Sequence, residues 1–220
     1  MYKAELIEKK PVSKNIFNFL YKRPSDFNYL AGQYISLLVG KSEKRSYSLS
    51  SSPFDKNIIS SIVDISPGGI GTTYLNKIKI GKSISFEGPY GHMVLPPNYQ
   101  KQSKINFVCT GTGICPFISI IKDLNQKGYK GEINLLYSEK FKNDFSNLAD
   151  LKISNLYLSL TREKAKSIAF GRVTEHLYKL PKDKALFFLC GNTRMLTEVI
   201  KILKNEGLTQ KNLVYESFYY

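Results

Sequence analysis

The chain has 220 residues and a formal net charge of +14, with 42% apolar residues, enough to bury a core in one large or two small domains. It contains no run of eighteen apolar residues, and its start, Met1-Tyr2-Lys3-Ala4-Glu5, lacks the basic-then-apolar pattern of a signal peptide, so stable membrane insertion is not expected and a cytoplasmic location is. Three cysteines (Cys109, Cys115, Cys190) and two histidines are too few for a disulfide framework, a four-cysteine iron–sulfur cluster or an evident metal site, which leaves an organic cofactor for any redox chemistry.

The first half reads as β structure. Strands are expected over 3–8, 15–21, 32–38, 44–51, 58–65 and 83–87, separated by glycine and proline turns, with one helical turn over 72–77. Six short strands at this spacing predict a small antiparallel barrel. Near Pro96-Pro97-Asn98 the pattern changes. Apolar strands are expected over 104–110, 132–137, 155–160 and 186–190. Helices are expected over 117–126, 141–151, 171–180 and 194–206. Alternating strands and helices predict a parallel, Rossmann-like sheet. The domains are therefore expected to be 1–98 and 99–220.

Several segments carry chemistry. Arg45-Ser46-Tyr47-Ser48 places Arg45 and Tyr47 on one face of a strand and Ser46 and Ser48 on the other, and local bulging could bring Ser48 near the same ligand as Tyr47. Arginine can grip a diphosphate, tyrosine offers a flat face, and serine a donor. Gly69-Ile70-Gly71-Thr72-Thr73 can open a helix on a phosphate. Cys109-Thr110-Gly111-Thr112-Gly113-Ile114-Cys115-Pro116 follows a buried strand, where glycines let a pyrophosphate approach the backbone; Pro116 stands where the Rossmann spacing has its third glycine. Cys190-Gly191-Asn192-Thr193-Arg194-Met195 lies at a second strand–helix junction. The chain runs out in Val214-Tyr215-Glu216-Ser217-Phe218-Tyr219-Tyr220, an aromatic terminus suited to docking on something flat.

Taken in this order, the segments resemble the ferredoxin–NADP reductase family over essentially the whole chain. The resemblance implies FAD on the barrel and NADP(H) on the second domain. It implies that Arg45 pairs with the FAD diphosphate, that Tyr47 stacks on the flavin, that Ser48 serves flavin N5, and that Gly71, Thr72 and Thr73 bind phosphate. Ser46 belongs to the same flavin segment. Phe218 matches the family's terminal aromatic on the other flavin face, with Tyr219 and Tyr220 beyond it. Cys190 and Glu216 match residues beside the reacting ring atoms. Thr110, Gly111, Thr112, Gly113, Gly191 and Met195 belong to the nucleotide loops. Thr161 and Arg162, with Arg172, resemble the site for the NADP 2′-phosphate. The function implied is electron transfer between NADP(H) and an acidic carrier, ferredoxin or flavodoxin, which the positive charge would steer. Alternatives are the reductase component of an oxygenase and a free-flavin reductase. No nucleic-acid-binding signature accompanies the charge.

Overall fold

The computed structural model describes residues 1–218. Its first half is a six-stranded antiparallel sheet: β1 (Tyr2–Pro11), β2 (Ile16–Lys22), β3 (Tyr34–Leu38), β4 (Lys44–Ser48), β5 (Ile58–Asp64) and β6 (Ser83–Tyr90), in the order β4-β3-β6-β1-β2-β5. The two end strands meet where the chain leaves β4. There the Ser50 N–H donates to the Ser60 carbonyl (2.8 Å), and the two serine hydroxyls pair at 2.8 Å. That contact closes the sheet into a barrel and removes its exposed edges. Alternation along the strands fills the interior with Leu6, Phe19, Ile35, Leu37, Leu49, Ile84 and Phe86, all buried. Each such side chain contributes roughly 1.5–3 kcal/mol by leaving water. A helix, α1 (Ile70–Lys77), lies between β5 and β6 and buries only Gly71 and Leu75.

The second half is a six-stranded parallel sheet, in the order β10-β9-β8-β7-β11-β12. Its strands are β7 (Lys104–Thr110), β8 (Glu132–Glu139), β9 (Asn155–Leu160), β10 (Ala169–Phe170), β11 (Ala185–Asn192) and β12 (Leu213–Phe218). Alternate residues of β7 and β11 feed two cores. Ile105, Phe107, Cys109, Leu186, Phe188 and Cys190 pack under α2 (Ile114–Gln126). Phe187, Leu189 and Val108 pack under α3 (Val173–His176) and α4 (Thr193–Asn205). A chain of amides sets register across three strands. The Asn155 amide donates to Asn134 (2.8 Å), Asn134 to Asn106 (2.9 Å), and Asn106 to the Pro181 carbonyl (2.7 Å). Buried amides satisfied in this way cost little, whereas a one-residue slip would orphan them.

The predicted barrel and parallel sheet are both present. The helix expected over 141–151 is absent. Only a single 3-10 turn, Lys142–Asp144, forms there. Asn and Asp compete for backbone N–H groups, as in the Asn147 side chain accepting from Ala149 N–H (2.9 Å). The apolar residues that suggested a helix, Phe145, Leu148 and Leu151, instead pack from a loop. The helix expected over 171–180 is shortened to α3 and a following 3-10 turn, Leu177–Lys179. Leu213–Phe218, at the start of the aromatic terminus, forms β12, an edge strand parallel to β11. Among the described residues no helix is long and apolar enough to cross a membrane.

Candidate functional site

The Arg45–Ser48 segment lies in β4 and pairs with β3 in unbroken register, so the strand has no bulge and Ser48, its last residue, stands at the strand end. Tyr47 leans on the barrel core beside Leu49, while Arg45 and Ser46 are exposed. Burial pushes the Tyr47 phenol up to about 12, partly offset by Arg45, so it is neutral at physiological pH. A Cβ at Gly71 would overlap the Tyr47 hydroxyl and the Arg45 stem. The first turn of α1 is therefore seated directly on the strand, which only a glycine allows.

That helix start is open to an anion. Its N-cap, Gly69, has no side chain, and no acidic residue lies in the first turn. The first intrahelical bond is Thr73 N–H to Gly69 O (2.8 Å), so the N–H groups of Ile70, Gly71 and Thr72 precede it. The Thr72 and Thr73 hydroxyls donate backwards, to Gly69 O (3.0 Å) and Gly68 O (3.2 Å). Arg45 is the adjacent cation. Its stem lies against Gly71 and its guanidinium donates to the Lys44 carbonyl (2.8 Å), so the open amides and a nearby cation could together cradle an anion such as a diphosphate.

Ser48 lies on the other side of β4, buried at the seam between the two halves. Its carbonyl accepts the Cys115 thiol (2.9 Å). Cys115 opens α2 directly after the Gly111-Thr112-Gly113 turn. Gly113, the last residue of that turn, is buried; a Cβ there would strike the Cys190 carbonyl, so the glycine lets β11 and the turn pass. Cys190 pairs in register with Cys109 on one side and Glu216 on the other. Its thiol is pushed well up by burial, and further by Glu216 and Cys115, so it is a neutral thiol.

Glu216 reaches from β12 to the barrel. A Cβ at Gly91 would lie 3.4 Å from its Oε1, with Tyr34 on the other side. Burial pushes its carboxyl up, and His92 opposes the shift. Glu216 Oε2 is buried and has no hydrogen-bond partner among the described residues. An orphaned carboxyl oxygen at a seam between two domains is a position where a bound group completes the bonding. The backbone of Phe218 pairs with Asn192 at the end of β12. Tyr219 and Tyr220 lie outside the described residues.

The nucleotide-loop candidates border a cleft of about 920 Å³ at the carboxyl ends of β7, β8, β9 and β11. Thr110, Gly111 and Thr112 border it from the first loop, and Gly191 and Met195 from the second. Gly111 has open space around it, so a ligand can approach the backbone there. Thr161, Arg162 and Arg172 border it on the far side. The Thr161 and Arg162 N–H groups donate to Glu139 O (3.0 Å) and Lys140 O (3.2 Å), which tethers this turn to the end of β8. Among the described residues Arg162 is in no ion pair, whereas Arg194 bonds Glu198 at 2.9 Å and Arg172 approaches it at 4.0 Å.

Sequence reasoning overlooked Glu139 and Lys140 in this cleft. Their place just after an apolar strand was the available signal, since ligands of parallel sheets sit at strand carboxyl ends. The Glu139 carboxyl is pushed up to about 7 by burial, with Asp144 and Asp64 adding to the shift; the Tyr137 hydroxyl donates to it at 2.6 Å and opposes the shift. Lys14 and Asp64 border the same cleft from the barrel, a placement with no local signal. Among the described residues no group of three His, Cys, Asp or Glu is arranged to hold a metal ion.

A barrel with an anion cradle, joined to a parallel sheet with a nucleotide cleft, defines a dinucleotide oxidoreductase architecture. Residues 3–95 match the oxidoreductase FAD-binding domain and residues 107–201 the oxidoreductase NAD-binding domain. The chain belongs to the ferredoxin–NADP reductase-like family of FAD- and NAD(P)-binding oxidoreductases. It is 25% identical to ferredoxin–NADP reductase B of Sorangium cellulosum, covering 99% of this chain and 97% of that protein. It is 30% identical to NADH-cytochrome b5 reductase 1 of Aspergillus terreus, covering 93% and 77%. It is 26% identical to the electron transfer component of toluate 1,2-dioxygenase of Pseudomonas putida, covering 99% and 67%. The fold matches that of a ferredoxin NADP+ reductase from Neisseria gonorrhoeae solved with bound FAD and NADP, with a TM-score of 0.89 at 21% identity, covering 99% and 98% of the two chains.

Proposed function

We propose that this protein passes electrons between NADP(H) and a one-electron carrier protein, ferredoxin or flavodoxin. The observation that carries the reading is the meeting of Ser48 from the barrel with Cys115, Cys190 and Glu216 from the second domain along one buried seam, between an anion cradle and a nucleotide cleft. In this reading Arg45 and the N–H groups of Gly71 and Thr72, with Thr73 closing the turn behind them, would hold the FAD diphosphate, and Tyr47 and Phe218 would flank the flavin. Ser48 would donate a hydrogen bond to the flavin ring, and Glu216 and the neutral Cys190 thiol would orient the ring that enters from the cleft. FAD, when bound, would supply the coupling between two-electron nicotinamide chemistry and one-electron carriers. The chain's own contribution is alignment of two rings and exclusion of water.

Arg162, with Lys140 beside it, supports NADP over NAD, because a guanidinium matches a 2′-phosphate. The formal charge of +14 supports an acidic carrier. Coverage of nearly the whole chain by the toluate dioxygenase electron transfer component supports a second reading, in which a separate oxygenase ferredoxin is the acceptor. Anaerobic reduction of the purified protein by NADPH or NADH, followed by addition of ferredoxins and flavodoxins, separates these readings. A protein that carries no flavin and takes up none would end both.

A further inference from the structure

We propose that Cys115 is a positioning residue, which fixes the flavin-binding strand to the nucleotide-binding loop. The inference rests on the functional reading above for its kinetic consequences, but its structural basis is independent of it. Cys115 stands at the first turn of α2, two residues after the Gly111–Gly113 turn that borders the nucleotide cleft. Its thiol donates to the Ser48 carbonyl (2.9 Å), and its sulfur accepts the Ile62 N–H of β5 (3.4 Å). One side chain thus joins both closing strands of the barrel to the second domain.

Further bonds extend the link along the same helix. One turn on, the Ser119 hydroxyl donates to the Ser51 carbonyl (2.6 Å). At the end of α2 the Ser52 hydroxyl donates to Gln126 Oε1 (2.7 Å). Positions 115 and 119 are stacked on one helix face, so the segment 48–52 lies along α2 and is fastened at three points. Ser48, Ser51, Cys115 and Ser119 are all buried, so water does not replace a lost bond. Burial pushes the Cys115 thiol up to about 12, which keeps its proton available to Ser48. The thiol is buried, and its two backbone bonds both reach the other domain. Its role is therefore to set the distance between Ser48 and the Gly111–Gly113 loop, on which ring alignment depends.

The test compares wild type with Cys115→Ala, Cys115→Ser and Ser119→Ala. For the FAD-loaded proteins, anaerobic stopped-flow gives the hydride-transfer rate separately from nucleotide affinity. Titration with the oxidised nucleotide gives the flavin difference spectrum. In Cys115→Ala the transfer rate and the spectral amplitude at saturation should fall about tenfold while nucleotide affinity changes little, the pattern of lost alignment rather than lost binding. Cys115→Ser, which keeps a donor, should recover most of both. Ser119→Ala should move both in the same direction by a smaller factor, and decides the matter if Cys115→Ala does not fold. In the FAD-free proteins, hydrogen exchange at the amides of residues 49–51 and 62 should accelerate in Cys115→Ala and return toward wild type in Cys115→Ser. Wild-type rates and spectra in the alanine variants, or a serine variant no better than alanine, would overturn the proposal. If wild type takes up no FAD, the functional reading fails, and the exchange data alone decide whether Cys115 fastens the two domains.

Discussion

Tyr47 and Gly71, 24 positions apart in sequence, are in such close contact that a methyl group at residue 71 would occupy the place of the tyrosine hydroxyl. The contact joins β4 to the start of α1 and seats the Arg45 stem against Gly71. Gly71→Ala should push Tyr47 and α1 apart and weaken FAD binding by about tenfold or more, a loss typical of a displaced binding group. Fluorescence titration of the FAD-free protein would measure it, and unchanged affinity would show that the cradle does not hold the cofactor.

Ser48 makes its structural bond through its carbonyl, which leaves the hydroxyl free to be changed without breaking the seam. Ser48→Ala should slow flavin reduction about tenfold or more, with little loss of FAD, as expected for a donor that acts in the transition state. Stopped-flow reduction at the wild-type rate would contradict the role.

Arg162 is held at the cleft by its backbone bond to Lys140 O (3.2 Å). Arg162→Ala should lower kcat/KM for NADPH by about tenfold and leave that for NADH nearly unchanged, because a charged contact to a 2′-phosphate is worth about 1.5–3 kcal/mol and NADH lacks the group. Equal losses for both nucleotides would assign Arg162 to some other part of the ligand.

Burial pushes the Glu139 carboxyl up to about 7 in the folded chain, against roughly 4.3 when unfolded. The fold favours its neutral form, so the stability it contributes is complete below the unfolded value and is lost as pH rises through 7. Glu139→Gln keeps an acceptor for the Tyr137 hydroxyl and removes the buried charge. The variant should be more stable than wild type at pH 8 by on the order of 2 kcal/mol, and the advantage should vanish near pH 4. Chemical denaturation across that range is the check, and a pH-independent difference would refute the assignment.

The two-domain architecture was legible in the sequence because its signals are local. Strands such as Lys104–Thr110 are short apolar runs, and the glycine turns that follow them need only their neighbours to be recognised. The order of Arg45–Ser48, Gly69–Thr73, Gly111–Gly113 and Glu216 along the chain was enough to point to a family. Tertiary structure decided the rest. The segment 141–151 has apolar residues at helical spacing, yet the Asn147 side chain takes a backbone N–H within it and only a single 3-10 turn forms, so it packs as a loop. Glu139 acquires its raised pKa from burial and from Asp64, 75 positions away in sequence, which no periodicity reports. The bond from Cys115 to Ser48 spans 67 positions and two domains. Hydrophobic period and turn chemistry are properties of a few adjacent residues. Distance, desolvation and charge between segments exist only after the chain has closed on itself.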